Sequence, residues 1–296
     1  AFDANGCSDT IKKTITVLEH PIAVANVDDD DQCLTGNAFR FNADSSDAVS
    51  GSTLNNYKWT FHSSATQTSS NGNSVVSGVT YKTIGTKDNQ LIVFDGNGCS
   101  DTSNVDVEVR DMPTAGIDIL DSIQCFADNE YDFSSTSTAG ASSSIVKYNW
   151  KFDIDNNEYY SNIISSSSNN TYKVNYDSIG LFNVRLIVTN NHGCIDSVDS
   201  KLIVNENPIA RIAILSADTQ CLTENSYNFS GISSSSAANS KLIKYQWDFG
   251  TGANPKTGTG SRVNNVHYAN TNAGLKNVKL TDTDTNGCTH DTVVQV

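Results

Sequence analysis

Seven cysteines are the residues of this 296-residue chain whose type and spacing could do chemistry. Four follow glycine, at Cys7, Cys99, Cys194 and Cys288, separated by 92, 95 and 94 residues. Three follow glutamine, at Cys33, Cys125 and Cys221, separated by 92 and 96 residues. Cysteines tied to a long period, in a chain with a single Met and much Asn, Ser and Thr, point to disulfides in an oxidising compartment rather than to a reactive thiol. The odd count leaves at least one cysteine whose partner lies outside the chain.

Other side chains offer weaker chemistry. Asp28, Asp29, Asp30 and Asp31 form an acidic run whose hard oxygens could hold Ca²⁺, and Asp153-Ile154-Asp155 is a sparser version. The other repeats have Leu120-Asp121-Ser122-Ile123 and Ser216-Ala217-Asp218-Thr219 in place of the run, so it is not a property of the repeat. Trp59, Trp150 and Trp247 could form a sugar-binding platform, but one tryptophan at the same place in each repeat is expected to be core. Five histidines (His20, His62, His192, His267, His290) lack metal-ligand spacing. No nucleophile motif, phosphate-binding glycine loop or carboxylate pair is present, and no cofactor other than Ca²⁺ is expected; the chain does not read as an enzyme.

Charge and length narrow the class. Lys and Arg number 19 against 33 Asp and Glu, a net charge of −14, which argues against nucleic acid and anionic membrane as partners. No apolar run approaches the roughly 18 residues of a membrane helix, so direct insertion is not expected. The chain opens in mid-pattern on Ala1-Phe2-Asp3-Ala4 without a signal peptide, as an excised piece of a secreted protein would.

The elements that must position the cysteines come from the same period. Tyr57-Lys58-Trp59-Thr60-Phe61 recurs as Tyr148-Asn149-Trp150-Lys151-Phe152 and Tyr245-Gln246-Trp247-Asp248-Phe249, and Pro21, Pro113 and Pro208 open the units. Four markers on one period define repeats over 20–110, 111–205 and 206–296, with 1–19 as the last strand of a preceding repeat. Period-two alternation predicts strand A at Pro21–Val27, B at Phe39 and Phe41, C at Tyr57–Phe61, E near Val79 and Tyr81, F at Leu91–Phe94 and G at Val105–Val109. Serine-rich stretches, including Ser63–Ser77 and Ser134–Ser144, read as loops. About seven short strands per repeat give an all-β chain of tandem immunoglobulin-like β-sandwiches. The short links between them favour a head-to-tail rod.

These residues resemble the PKD domain, an immunoglobulin-like sandwich common in bacterial surface proteins. The resemblance rests on the aromatic-x-Trp-x-Phe strand and on Tyr81…Gly85, Tyr176…Gly180 and Tyr268…Gly274. Of the family's Trp-Asp-Phe-Gly-Asp-Gly signature, Trp247-Asp248-Phe249-Gly250-Thr251-Gly252 comes close, and the other two copies are degenerate. The Gln-Cys and Asn-Gly-Cys pattern is similar to PKD arrays of Bacteroidota adhesins and gliding-motility surface filaments. That likeness implies O-glycosylation at Asp-Ser/Thr-aliphatic triplets, here Thr10, Ser122, Ser178, Ser197 and Thr292.

Two disulfide schemes remain open. Pairing within a repeat gives Cys33–Cys99, Cys125–Cys194 and Cys221–Cys288. In a Greek-key sandwich, however, the F–G turn and the start of strand B lie at opposite ends, roughly 20 Å apart at ~3.3 Å per residue, and a disulfide spans far less. Pairing between consecutive repeats gives Cys33–Cys194 and Cys125–Cys288, with Cys7, Cys99 and Cys221 bonded outside the chain; this scheme is preferred. The expected role is a structural or adhesive stalk segment at the bacterial cell surface. Its partners would be neighbouring repeats and an unknown surface or glycan ligand. The alternative is a carbohydrate- or protein-binding accessory module of a secreted enzyme.

Overall fold

The structure is a computed structural model that describes residues 1–152, 164–166, 168, 171–269 and 273–296. It is all-β, built from immunoglobulin-like sandwiches. In the first repeat the strands are β1 (Asn26–Val27), β2 (Asp31–Cys33), β3 (Phe39–Asn42), β4 (Leu54–Thr60), β5 (Ser69–Asn71), β6 (Val75–Val79), β7 (Gly85–Asp95) and β8 (Ser100–Arg110). One sheet has the order β1-β3-β6 and the other β2-β8-β7-β4-β5. Alternation decides which face is inside: Phe39, Phe41, Trp59, Leu91, Val93, Val107 and Val109 are buried, while Arg40, Lys58 and Thr60 between them are exposed. Burying each large apolar side chain contributes about 1.5–3 kcal/mol.

The second repeat repeats this plan with β9 (Ile117–Leu120), β10 (Ile123–Cys125), β11 (Tyr131–Ser135), β12 (Ile145–Lys151), β13 (Ile164–Ser166), β14 (Tyr172–Val174), β15 (Gly180–Asn190) and β16 (Ile195–Asn205). Its sheets run β14-β11-β9 and β10-β16-β15-β12-β13. The third has β17 (Ala213–Ile214), β18 (Tyr227–Ser230), β19 (Leu242–Asp248), β20 (Ala253–Asn254), β21 (Thr257–Thr259), β22 (Arg262–Tyr268), β23 (Asn277–Asp284) and β24 (Thr289–Gln295). Its sheets are β17-β18-β22-β20 and β21-β19-β23-β24, so the second sheet has four strands where its counterparts have five.

Three features differ from the sequence expectation. Strand A shrinks to Asn26–Val27, because the backbone before it is satisfied by side chains: Ala23 N–H donates to Asp101, Val24 to Ser46 and Ala25 to Ser103. A short strand, β2 or β10, lies between strands A and B where no strand was predicted, paired parallel to the end of β8 or β16. The serine-rich stretch at Ser63–Ser77 contains edge strand β5, hydrogen-bonded to β4, so polar composition there marks an exposed edge rather than a loop.

The chain groups into two compact units. One comprises Ala1–Pro113, Ala139–Ile145 and Thr189–Ile195; the other comprises Thr114–Thr138, Val146–Val188 and Asp196–Val296. Two loop tips of the second repeat therefore belong with the first unit.

Candidate functional site

Each glycine-preceded cysteine ends a turn built by one side chain. Asp95 Oδ1 accepts the N–H groups of Asn97 and Cys99 at 3.0 and 2.8 Å, and Asn190 Oδ1 accepts those of His192 and Cys194 at 3.1 and 2.9 Å. Asp284 does the same for Asn286 and Cys288, and Asp3 for Asn5 and Cys7. Gly98 and Gly193 sit at φ +84° and +82°, a conformation a side chain resists, so the glycine is what lets the turn close.

The glutamine-preceded cysteines sit on a second recurring device. Gln124 Oε1 accepts from Glu130 N–H and its amide donates to Asp121 and Glu130 carbonyls, bracing the loop; Gln220 makes the matching bonds with Ser226 and Ala217. Four residues after each cysteine lies a buried asparagine: Asn37, Asn129 or Asn225. Each donates to the carbonyl of the residue after the cysteine and to that of Tyr81, Tyr176 or Tyr268, whose N–H it accepts in return. Sequence reading missed these asparagines, although their spacing of 92 and 96 residues equals that of the cysteines.

The two devices meet. Cys33 is bonded to Cys194, with Sγ–Sγ 1.99 Å and Cα–Cα 5.6 Å, and Cys125 to Cys288, with 2.09 and 5.5 Å, within the usual span of a disulfide. Each bridge joins the Gln-Cys edge of one repeat to the glycine turn of the next. Cys7, Cys99 and Cys221 carry free thiols, Cys7 and Cys221 exposed and Cys99 partly so.

Around each bridge the inter-repeat link is held on both sides. At the first, Asp111 Oδ2 accepts Ala141 N–H at 2.7 Å and its carbonyl accepts the Asn190 amide at 3.1 Å. A Cβ on Gly140 would come within 2.7 Å of the Met112 carbonyl, so this approach requires glycine. At the second, Asn207 accepts Ala127 N–H at 2.8 Å and donates to the Thr289 carbonyl at 2.9 Å. The first junction also has a bidentate pair: Arg110 donates to both Asp31 oxygens at 2.7 Å. The Arg110 hydrogen bonds, partly offset by burial and reinforced by the charges of Arg110 and His192, hold the Asp31 carboxyl below its ordinary range.

Two residues of the acidic run pair with arginines, Asp28 with Arg40 at 2.8 Å and Asp31 with Arg110 at 2.7 Å. Among the described residues no group of three or more His, Cys, Asp or Glu is placed to hold a metal ion. Asp153 and Asp155 lie outside the described residues. Trp59, Trp150 and Trp247 are buried and stack on Phe61, Phe152 and Phe249 at 6.0, 5.8 and 5.9 Å, leaving no ring face for a sugar. Of the triplet hydroxyls, Thr10, Ser178 and Ser197 are exposed, and Ser122 and Thr292 partly so.

Residues 205–296 match the PKD domain, so a PKD-like domain is present in the chain. No curated protein matches the sequence. Among solved structures, the chain is similar to an I-band fragment of titin at 12% identity, covering 94% of this chain and 98% of that one, with TM-score 0.41. It is also similar to a Ca²⁺-stabilised ice-binding adhesin of an Antarctic bacterium at 13% identity, covering 99% and 78%, with TM-score 0.39. Fibronectin(III)-like modules of Clostridium thermocellum CbhA match at 12% identity over 62% and 95%, with TM-score 0.31.

Proposed function

We propose that this chain is a structural, adhesive segment of a larger extracellular protein at the bacterial cell surface, a stalk or filament whose consecutive repeats are joined covalently. The observation that carries this reading is the pair of bridges Cys33–Cys194 and Cys125–Cys288, each closing a junction that backbone and side-chain hydrogen bonds already hold. A bond at the joint transmits tension from one sandwich to the next without relying on a small interface. Disulfides on this scale also fit an oxidising, extracytoplasmic location. The finer identity, a Bacteroidota adhesin or gliding-motility filament presenting a distal adhesive region, rests on the resemblance of the Gln-Cys and Asn-Gly-Cys pattern.

Single-molecule pulling from the two ends tests the mechanical role. Cys33–Cys194 encloses 161 positions of chain, or roughly 500–600 Å of extended backbone at ~3.3–3.6 Å per residue. The oxidised chain, with both overlapping bridges closed, is expected to withhold at least that length until a reductant is added. Full extension without reductant contradicts the proposal.

A further inference from the structure

The third repeat fastens its entering segment with an imidazole where the other two use a carboxylate. Ala23 N–H donates to Asp101 Oδ2 at 2.9 Å and Ala115 N–H to Asp196 Oδ2 at 2.8 Å, whereas Ala210 N–H donates to His290 Nδ1 at 3.0 Å. A backbone N–H can only donate, so Nδ1 carries no proton and the ring is the neutral tautomer with its proton on Nε2. A carboxyl group keeps an oxygen lone pair for the amide even when protonated. An imidazole does not: a second proton turns Nδ1 into a donor and sets two N–H groups against each other.

The charged ring has a partner waiting. His290 is paired with Asp282 across β23 and β24, and residues opposite each other in this way share a face of the sheet. Asp282 is fully buried, and neither of its oxygens meets a donor at hydrogen-bonding geometry. Burial raises its pKa, and Ser234 and the charge of His290 pull it partly back. Both residues depart from the other repeats together, since Asp101 and Asp196 stand in place of His290, and Val93 and Val188 in place of Asp282. The other charged groups about the ring are Asp291 on its own strand, paired with Lys279 at 2.8 Å, and Glu206 and Arg211 on the segment that passes it, both exposed.

His290 sits where the chain enters the third repeat. Asn207 donates to the carbonyl of Thr289, the neighbour of His290, and accepts Ala127 N–H from the second repeat. On its other side the entering segment is tied independently: Ile209 exchanges backbone hydrogen bonds with Ser235, and Arg211 N–H donates to Ser234 Oγ at 2.9 Å. Losing the Ala210 bond therefore frees the segment from strand G without detaching it from the sandwich.

We propose that His290 is a proton-operated latch on the entry to the third repeat. With the ring neutral, Nδ1 holds Ala210 and Asp282 is left unpaired. With the ring protonated by solvent, it turns to the Asp282 carboxylate and releases Ala210, while the Cys125–Cys288 bridge keeps the two repeats joined. Imidazole is the side chain whose charge ordinarily changes between about pH 5 and 8, so mild acid works the latch. The first two repeats, fastened by Asp101 and Asp196, have no such response at this position.

The test is amide hydrogen exchange of the isotope-labelled full chain, read residue by residue by NMR and corrected for intrinsic rate, from about pH 8 to about pH 5. Ala210 is expected to lose about tenfold in protection, with a midpoint that coincides with the titration of the His290 ring, while Ala23 changes by less than about twofold. His290→Asn places a non-titrating oxygen acceptor near the position of Nδ1 and is expected to keep Ala210 protected throughout. Asp282→Asn removes the charge to which the protonated ring turns, so the ring and amide midpoints are expected to fall together by about one pH unit. A ring that does not titrate in this range overturns the inference, as does Ala210 protection that stays flat while the ring titrates. So does an equal loss in His290→Asn, or a midpoint that Asp282→Asn leaves in place. The two wild-type readings decide by themselves should either variant fail to fold.

Discussion

The Gln-Cys segments of the three repeats share their glutamine and asparagine, yet those of the first two form strands beside β8 and β16, and that of the third, whose matching strand-G positions would follow Val296, does not. Gln124 and Gln220 brace the same loop, and Asn37, Asn129 and Asn225 make the same buried bonds. Only beside the last residues of β8 and β16 does the cysteine segment become a strand. Three residues are too few to fix a strand by their own propensity, so the neighbouring strand decides. The asparagine builds the loop whether or not a neighbour is present, and the disulfide joins two finished parts.

A second contrast runs along strands F and G. Ala23 and Ala115 donate their N–H groups to Asp101 and Asp196, but Ala210 donates to His290 Nδ1 at 3.0 Å. In the same exchange, the buried Val93 and Val188 give way to Asp282. Burial raises the Asp282 pKa, only partly offset by Ser234 and His290, and neither carboxylate oxygen meets a donor at hydrogen-bonding geometry. The third repeat therefore tolerates a buried carboxyl at the position where the first two place valine.

The largest test of the contrast among the Gln-Cys segments is removal of the bridge. Cys194→Ser should destabilise the oxidised chain by about 2–4 kcal/mol in denaturant unfolding, and Cys221→Ser should leave it unchanged. Asn129→Ala and Asn225→Ala should each cost about 2–3 kcal/mol by orphaning buried backbone groups. Equal losses at the bridged and unbridged segments are expected, and a loss confined to the bridged one breaks the contrast. Asp282→Val should stabilise the third repeat by about 1–2 kcal/mol at neutral pH, read as a rise in its unfolding midpoint.

Acid should separate the repeats further. The Ala23 hydrogen bond holds Asp101 below its ordinary value, as Arg110 holds Asp31, so the stability these groups provide is lost as pH falls through their depressed pKa values. Asp282 runs the other way: its ionisation costs stability above its raised pKa, and acid relieves that cost as pH falls toward 3.8. Hydrogen exchange, corrected for intrinsic rate, should show β7 losing more protection than β23 on acidification. Smallest of all, Arg110→Ala should cost about 0.5 kcal/mol and less in high salt, because the pair with Asp31 is partly exposed.

Much of the fold was legible because its determinants are local and periodic. Trp59, Phe39 and Val107 alternate with polar neighbours, and one period recurs through the chain. The F–G turn could be read from its glycine and cysteine. The short strands β2 and β10 could not, because pairing in space creates them. Strand A was overread because Ala23 and Ala25 look like a strand in sequence but bond to side chains of strand G. At the junction the cysteines were visible but the partners of the linker were not, since Asp111 and Asn207 meet Ala141 and Thr289 only after folding. Asn37, Asn129 and Asn225 were readable by spacing alone and were passed over because asparagine is common in turns.

The most direct measurement of the central claim is peptide mapping of the oxidised chain without reductant. The account predicts cross-linked peptides containing Cys33 with Cys194 and Cys125 with Cys288, and unbridged Cys7, Cys99 and Cys221 in the isolated monomer. A peptide joining Cys33 to Cys99, or Cys125 to Cys194, would place the bonds inside single repeats and contradict it.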